Sequence, residues 1–516
     1  MLKRALPFLL ITFVFTGCQT SGLFRTKSRA ISTSVVVVDK PTEIPKREFR
    51  AAWIASVANI DWPSKKGLSS FEQQLEYNNL TDALKAKGMN AVFVQVRDAA
   101  DAFYAKSNEP WSEWLMGEQG KAPEPIYDPM EYMIAASHDK NLEFHAWLNL
   151  NRGKHKNAKS ISSDHITNTK PEWFIAYDGY KIFDFGNPTV RKYIKDIVIN
   201  MVKNYDVDGI HFDDYFYPYK VKGETFKDQD SFKKYGRGFT DVEDWRRDNI
   251  NILVKEISEE ITDTKPWVKF GISPFSVWRN KVDDPAGSET KAGQPSYDYL
   301  YADTRKWAQE GWIDYIVPQI YFPIEHKLVP YATMVDWWAA NCGKAQLYIG
   351  HGVYRIDPES DTQAWKETEQ ISRQLEYNRL MTKVQGSVYF SASSLIKNKL
   401  DWTKNLEEFY RYPALTPVLV QDKLTESKRP NDFKIISLTS NEAKFIWNKD
   451  YTGQRFVLYR YSAGEEVNIA DPSHIIYSGS KASYDDADRK TGQSYIYVLT
   501  SINRYGVESE AVILVK

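Results

Sequence analysis

Short strand-like runs alternate eight times with longer helical segments between residues 49 and 391, and this alternation limits the fold more than any other feature. Strands that alternate with helices in this way form parallel sheets. The predicted strands span residues 49–57, 90–97, 142–150, 207–214, 268–275, 315–321, 346–353 and 384–391. Eight such units predict an α/β protein with a (β/α)8 TIM barrel. The alternative, a doubly wound open sheet, is disfavoured because no Gly-rich turn follows the first strand.

The chain of 516 residues is longer than one hydrophobic core usually supports, which predicts a second module. The helical pattern stops near Pro413, and short alternating strands follow. These strands resemble a fibronectin type III β-sandwich, with Trp447 and Leu499 as core residues. We therefore expect a barrel over residues 47–412, a linker over 413–428 and a C-terminal sandwich over 429–516. The sandwich is expected to act as a spacer or to dock an envelope protein.

The N-terminus has the pattern of a bacterial lipoprotein. Residues 1–18 combine a basic start, an apolar run over 5–15 and the box Thr-Gly-Cys that ends at Cys18. A membrane-spanning helix would need about 20 apolar residues, roughly twice the length of this run. We therefore predict a signal peptide that is cleaved before a lipidated Cys18, followed by a flexible tether over residues 19–46. Gln19 favours the outer membrane by analogy with enteric sorting, so the predicted location is the cell envelope, on the periplasmic side of that membrane.

The charge balance argues against nucleic acid as a partner. The chain has 67 basic and 68 acidic residues, a formal net charge of -1, and lacks the basic excess that phosphate backbones attract. It also has 16 Trp and 32 Tyr, whose flat rings fill cores and can stack on sugars. Nucleic acid is therefore not an expected partner.

Side-chain alternation predicts which residues face the barrel axis at the carboxyl ends of the strands, where barrel enzymes carry their sites. On the fourth strand Ile210 and Phe212 are apolar and should face the helices, so that His211, Asp213 and Tyr215 point inward. The same rule directs six further polar or aromatic side chains inward, namely Arg97, His145, Trp147, Asn149, Ser273 and Gln319. The result is a predicted polar ring around the mouth of the barrel.

Asp213 is the first candidate for a catalytic group, because a buried carboxylate is costly unless it is paired or used. Glycosidic cleavage generally needs two carboxyl groups. One candidate partner is Asp214, which lies on the outer parity but could bend into the cleft where the strand ends. Another is Glu113, because its neighbours Trp111 and Trp114 provide the apolar surroundings that raise the pKa of a general acid. None of the candidates is decisive, and the sequence also offers Asp98, Asp101 and Asp303.

A metal-dependent reaction such as deacetylation is the alternative chemistry. His145, His211 and Asp213 lie on neighbouring predicted strands, and two imidazoles with a carboxylate can bind zinc. However, no HxxH or HxH cluster occurs on one of these strands. We therefore predict neither a metal ion nor another cofactor.

A series of motifs makes the chain similar to a known family. They are Arg50-Ala-Ala-Trp-Ile, Asn59-Ile-Asp-Trp-Pro-Ser, Val94-Gln-Val-Arg, Glu109-Pro-Trp-Ser-Glu, His145-Ala-Trp, Gly209-Ile-His-Phe-Asp-Asp-Tyr-Phe-Tyr-Pro, Trp245-Arg-Arg-Asp-Asn, Phe270-Gly-Ile-Ser-Pro and Pro318-Gln-Ile-Tyr. Together they resemble the glycosyl-hydrolase-like family 10 proteins over residues 47–394. The resemblance implies a barrel glycosidase, and the bacterial lipoproteins of the family imply hydrolysis of peptidoglycan glycan strands that lack stem peptides.

The fourth strand also partly resembles the chitinase signature. Asp208, Gly209 and Asp213 fit that signature, whereas Tyr215 stands where the chitinase proton donor, a glutamate, would be. That donor therefore cannot be transferred to this chain. Whether an N-acetyl group of the substrate assists the reaction stays open.

These observations predict an endo-acting glycosidase that is held at the membrane by a lipid on Cys18 and acts on an envelope polysaccharide. The catalytic pair would be Asp213 with Asp214 or Glu113. The side chains predicted to bind the glycan are Arg97, His145, Trp147, Asn149, His211, Tyr215, Ser273, Trp278, Gln319 and Tyr321. A barrel that binds glycan without cleaving it is the competing functional class.

Overall fold

The structure, a computed structural model, describes residues 44–419 and 425–515. The predicted signal peptide, the lipidated Cys18 and the tether as far as residue 43 lie outside the described residues. Part of the predicted linker, residues 420–424, also lies outside them. No described helix is long and apolar enough to cross a membrane.

Eight parallel strands in the described chain close into a barrel. They are β1 (Phe49–Ile54), β2 (Ala91–Arg97), β3 (Glu143–Leu148), β4 (Gly209–Phe212), β5 (Lys269–Ile272), β6 (Tyr315–Ile316), β7 (Gln346–His351) and β8 (Val384–Tyr389). Each strand pairs with its neighbours in sequence, and β1 closes the ring by pairing with β8, where Phe49 lies opposite Gly386. Every strand falls within its predicted range. The predicted barrel is thus confirmed and the open sheet is excluded.

Helices on the outside connect the barrel strands. The principal ones are α1 (Ser70–Ala86), α2 (Pro129–Asp139), α3 (Pro188–Asn204), α4 (Val242–Thr264), α5 (Thr304–Glu310), α6 (Tyr331–Asn341), α7 (Glu369–Leu380) and α8 (Ala392–Lys397). Their starts follow from capping residues: Ser69 forms a capping box with Glu72, and the side chains of Asp128, Asn187 and Asp241 accept backbone N–H groups. Short helices at Glu113–Met116, Ile166–Thr169, Gln229–Tyr235, Ser296–Tyr299 and Lys404–Phe409 extend the connections.

Aromatic rings fill the inside of the barrel. Phe49 stacks on Tyr348 with 4.2 Å between ring centroids, and Phe93 stacks on His211 at 4.1 Å. Glycine provides the necessary space on a neighbouring strand, because a Cβ atom at Gly271 would lie 2.1 Å from the ring of Tyr315. The barrel axis is therefore a packed core.

A chain of polar groups runs through this aromatic core, and we call it the axial column. It begins with Glu143 at the amino end of β3, whose carboxylate lies 3.3 Å from Nε2 of His145. The Tyr315 hydroxyl is hydrogen-bonded to Nδ1 of His145 at 2.9 Å and to Nδ1 of His211 at 3.2 Å. His211 Nε2 is hydrogen-bonded to the Ser273 hydroxyl at 3.0 Å. The two inward-facing histidines thus satisfy neighbours inside the barrel.

The C-terminal region forms two antiparallel sheets. Its strands are β9 (Lys434–Leu438), β10 (Ala443–Ile446), β11 (Arg455–Ser462), β12 (Ile475–Gly479), β13 (Ser483–Asp486), β14 (Tyr495–Ile502) and β15 (Val512–Val515). Their orders are β9-β10-β13 and β12-β11-β14-β15. Trp447 and Leu499 lie in one buried cluster between them, as expected. The more specific likeness to a fibronectin type III domain stays a prediction.

The C-terminal sheets contact the amino end of the barrel. Arg455 lies 3.5 Å from the Glu143 carboxylate, and Arg504 forms an ion pair with Asp206 at 2.6 Å. Thr416, which precedes the sheets, donates its hydroxyl to Glu143 at 2.6 Å. These contacts leave the carboxyl end of the barrel open. A further three-stranded sheet, Arg152–Lys154, Phe174–Tyr177 and Tyr180–Phe183, lies between β3 and α3.

Candidate active site

A cavity of about 220 Å³ lies at the carboxyl end of the barrel, and we call it the central cavity. Side chains from most of the barrel strands and from the loops that follow them line it. They are Trp53, Ala55, Val57, Ile60, Gln95, Trp147, Asn149, Arg152, Asp213, Asp214, Tyr215, Tyr219, Ser273, Gln319, Tyr321, Tyr354 and Phe390. Most of the predicted site residues are therefore brought together here.

The floor of the central cavity carries two adjacent carboxyl groups. Strand β4 ends at Phe212, so the alternation of side chains ends there and Asp214 lines the cavity together with Asp213. Gln319 Nε2 donates to Asp213 Oδ1 at 2.9 Å, and the backbone N–H of Asp214 donates to the same atom at 2.8 Å. The hydroxyl of Tyr219 donates to Asp214 Oδ2.

These two carboxyl groups hold their protons more tightly than ordinary aspartates. Burial and the neighbouring charge of Asp214 raise the pKa of Asp213 well above its usual value. Burial also raises the pKa of Asp214. The two side chains line the same cavity, and two neighbouring buried carboxylates cannot both be charged at low cost. Because the pKa of Asp213 is raised well above its usual value, Asp213 is the better placed of the two to keep a proton, as a general acid requires.

Arg152 supplies a cation beside this pair that the sequence reasoning missed. Its guanidinium group lies over the ring of Tyr215 at 4.1 Å and donates to Asp98 Oδ1 at 2.9 Å. Asp98 thus holds Arg152 against the cavity wall. Asp98 directly follows β2, and Arg152 begins a short strand a few residues after β3, so a charged residue just beyond a strand end was the available signal.

Aromatic and amide groups form the rest of the wall. Trp147 donates its indole N–H to Asn149 Oδ1 at 3.0 Å, which fixes the ring beside the cavity. Tyr321 stacks on Phe390 with 6.1 Å between centroids. Gln95 accepts the backbone N–H of Val57 at 2.9 Å, while its buried Nε2 has no partner among the described residues. This arrangement offers both a flat apolar face and a free hydrogen-bond donor to a ligand.

Arg97 does not reach the mouth of the barrel, contrary to the sequence prediction. The register between β2 and β3 shifts after Gln95, so that Arg97 pairs with Leu148 and takes its outward direction. One extra residue in a strand reverses the faces of those that follow. Arg97 donates two hydrogen bonds of 2.7 Å, one to each carboxylate oxygen of Glu109, and lies near the ring of Phe183. Arg97 therefore anchors the loop that carries Glu109.

The two histidines point inward as predicted but lie below the central cavity, in the axial column. Burial lowers the pKa of His145 and, more strongly, that of His211, so both rings are neutral near pH 7. Neither ring lines the cavity beside Asp213. Across the described residues, no group of three or more His, Cys, Asp or Glu side chains is arranged to hold a metal ion.

Two further predicted site residues also lie away from the central cavity. Glu113 is buried and accepts the backbone N–H groups of Lys159 and Ser160 at 3.1 Å and 3.2 Å, so it fixes a loop. Trp278 is buried against Trp337, with 5.9 Å between centroids. Both residues lie on long connections, where no periodic rule predicts direction. Of the candidate partners that the sequence offered for Asp213, only Asp214 lines the cavity.

Residues 48–367 match a family model described as Glycosyl hydrolase-like 10. The chain is 41% identical to Glycosyl hydrolase YngK of Bacillus subtilis (strain 168) over 96% of this chain and 98% of that protein. It is 33% identical to Glycosyl hydrolase DigH of Escherichia coli (strain K12) over 69% of this chain and 85% of that protein. Among solved structures it is similar to the glycoside hydrolase domain of PgaB (BpsB) from Bordetella bronchiseptica, with TM-score 0.45, 12% identity, and coverage of 70% of this chain and 98% of that one.

Proposed function

Because the chain belongs to the glycosyl hydrolase-like 10 family and is a glycosidase, we propose that its substrate is a glycan of the bacterial cell envelope, namely peptidoglycan strands that lack stem peptides. The motif resemblance to envelope lipoproteins supports this substrate. A lipid on Cys18 would hold the enzyme at the periplasmic face of the outer membrane, beside that glycan. The C-terminal sheets face away from the central cavity, which suits a spacer or a docking module.

The contact between Asp213 and Asp214 carries the mechanistic part of the proposal. In most retaining and inverting glycosidases the two carboxyl groups flank the scissile bond and lie about 5 Å or more apart. Here the two residues are adjacent in sequence and line one cavity, and the backbone N–H of Asp214 donates to Asp213 Oδ1 at 2.8 Å, so both groups approach the bond from one side. We therefore assign proton donation to Asp213, and we assign to Asp214 the task of holding and orienting that proton.

The substrate's own 2-acetamido group then supplies the nucleophile, the variant that the sequence left open. Its carbonyl oxygen bonds to the anomeric carbon while the glycosidic C–O bond breaks and the leaving oxygen takes the proton of Asp213. Water next attacks the anomeric carbon and gives a proton to the Asp213 carboxylate, while the bond between the anomeric carbon and the acetamido oxygen breaks and the acetamido group is restored. This route requires an N-acetylated sugar, which peptidoglycan provides.

The remaining cavity residues position the sugar. Asn149, Gln319 and Tyr321 present hydrogen-bonding groups beside the carboxyl pair, and Gln95 offers its free amide N–H. Trp147 lines the cavity with an aromatic ring against which a sugar can pack. Ser273 and Tyr215 complete the polar rim, whereas Arg97, His145, His211 and Trp278 support the site from outside the cavity.

Replacement of one carboxyl group tests the proposal. Asp213→Asn keeps the size of the side chain and removes its transferable proton, so release of fragments from purified glycan strands should fall about 10²- to 10⁴-fold. Asp230→Asn, the same change on an exposed side chain, is the matched control. Undiminished release by the Asp213 variant would overturn the assignment, and release by no form of the protein would favour a glycan-binding barrel.

A further inference from the structure

A second cavity of about 430 Å³ adjoins the central cavity at the same end of the barrel, and we call it the outer cavity. Tyr219 lines both cavities. Phe275 lines the outer cavity and Gln319 lines the central cavity, and the backbones of these two residues form an isolated β-bridge. The volume lies in the range of small-molecule sites, about 300 to 1,000 Å³. One shared side chain thus connects the carboxyl pair to a second space of ligand size.

Two loops form the walls of the outer cavity and are tied together. The backbone N–H of Lys291, in the loop after β5, donates to the carbonyl of Leu328, in the loop after β6, at 2.9 Å. Tyr219, Phe275 and Phe322 present partly exposed rings, and Leu328 is 50% exposed. Aromatic rings next to an open space can pack on the apolar face of a sugar.

Two polar groups in the outer cavity lack protein partners. The buried amide oxygen of Gln294 accepts no hydrogen bond from any described residue. His326 Nδ1 accepts the backbone N–H of Val329 at 3.0 Å, so the neutral ring carries its proton on Nε2, which has no hydrogen-bond partner within the described chain. The cavity therefore offers one acceptor and one donor beside an apolar wall. An acetamido group has the complementary N–H, carbonyl and methyl.

We propose that the outer cavity is a second sugar subsite, which binds an N-acetylated hexosamine adjacent to the sugar in the central cavity. Gln294 accepts the acetamido N–H, His326 donates to a carbonyl or hydroxyl oxygen, and Phe275 or Phe322 packs on the ring. This inference rests on the proposed function and deepens it, since it defines a substrate that spans at least two N-acetylated residues. Tyr219, which holds Asp214, is the wall between the two sugars.

Gly293 allows the outer cavity to be filled without strain. A Cβ atom at this position meets nothing within 4 Å, and its φ is not positive. Gly293→Phe should therefore fold normally and occlude the subsite, and kcat/KM for long glycan strands should fall about tenfold or more through a higher KM. Val282→Phe adds the same ring at a position that is 86% exposed in the same loop, and it should behave as the wild type.

Binding to an inactive form separates the subsite from catalysis. In the Asp213→Asn background, Gly293→Phe should weaken the binding of N-acetylglucosamine oligomers, measured by calorimetry, about tenfold. If Gly293→Phe changes neither KM nor binding, the subsite is wrong while the proposed function stands. If the wild type cleaves no glycan but Gly293→Phe weakens binding, the function is wrong and the subsite stands.

The preference for the acetamido group has its own test. Gln294→Leu should weaken binding of N-acetylglucosamine oligomers more than binding of their de-N-acetylated counterparts, because only the former lose an N–H contact. Gln363→Leu makes the same change on an exposed side chain and serves as the control. Equal losses for both oligomers would remove the acetamido from the proposal.

Discussion

Two acids at opposite ends of the barrel, Glu143 and Asp213, share a similar environment of buried aromatic and polar groups and differ in their neighbours. Glu143 accepts from Lys269 Nζ at 2.7 Å. Burial alone would raise the pKa of Glu143, but Lys269 and His145 hold it well below its usual value. Burial and the charge of Asp214 both oppose ionisation of Asp213, and its pKa is raised well above the usual value. Burial alone therefore does not identify a reactive acid. The sign of the neighbouring charge does, because a cation stabilises the ionised carboxylate of Glu143 whereas an anion favours the protonated form of Asp213.

The largest expected effect is at the amino end. Glu143→Gln leaves Lys269 as a buried charge without its main partner, which costs about 3 to 5 kcal/mol of unfolding free energy. Urea unfolding measures this loss, and Glu310→Gln on an exposed helix end is the control. If the Glu143→Gln variant were as stable as the wild type, the ion pair with Lys269 would not distinguish Glu143 from Asp213.

At the carboxyl end the same kind of change should stabilise the protein. Asp213→Asn removes a carboxyl group whose ionisation is opposed by burial and by the charge of Asp214, and it should raise the unfolding free energy by about 1 kcal/mol at pH 7. Because the folded state raises the pKa of Asp213, the wild type loses stability as pH rises from the ordinary aspartate value of about 4 towards the folded value. The difference in melting temperature between variant and wild type should therefore be larger at pH 7 than at pH 5. An equal or reversed difference would contradict this sign.

A smaller effect is expected where the C-terminal sheets contact Glu143. Arg455 lies 3.5 Å from that carboxylate and is partly exposed, and Glu143 keeps Lys269 when Arg455 is removed. Arg455→Ala should therefore cost about 0.5 kcal/mol, measured by the same urea unfolding. If Arg455→Ala lowered the unfolding free energy as much as Glu143→Gln, the main partner of the Glu143 carboxylate would be the C-terminal sheets rather than Lys269.

The smallest change is a displacement of the pH profile. Asp214→Asn removes the like charge that raises the pKa of Asp213, so the alkaline limb of the residual kcat/KM profile should move to lower pH. The Asp230→Asn variant should keep the wild-type profile. An unmoved limb would show that Asp213 is not the acid that the profile reports.

Periodic patterns predicted the barrel well, because each strand is short and is separated from the next by helices with clear caps. The same alternation placed Asp213, Asn149 and Gln319 correctly at the rim. It failed at Arg97, because a register shift in β2 cannot be read from alternating residue types. It also placed Asp214 on the outer parity, because it could not locate the strand end at Phe212.

Loop residues were beyond such rules. Glu113 and Trp278 were chosen from their neighbours in sequence, yet backbone contacts and packing turned both away from the central cavity. Arg152 and Tyr219 reach the carboxyl pair from loops that no strand pattern covers. Long connections carry much of a barrel's site, so their tertiary contacts decide which side chains meet.

The aromatic packing inside the barrel also determines how a polymer can approach. Stacked rings such as Phe49 and Tyr348 fill the described barrel along its axis, so a glycan cannot pass through the barrel from one end to the other. It can reach Asp213 only from the open carboxyl end of the barrel, where the central cavity lies.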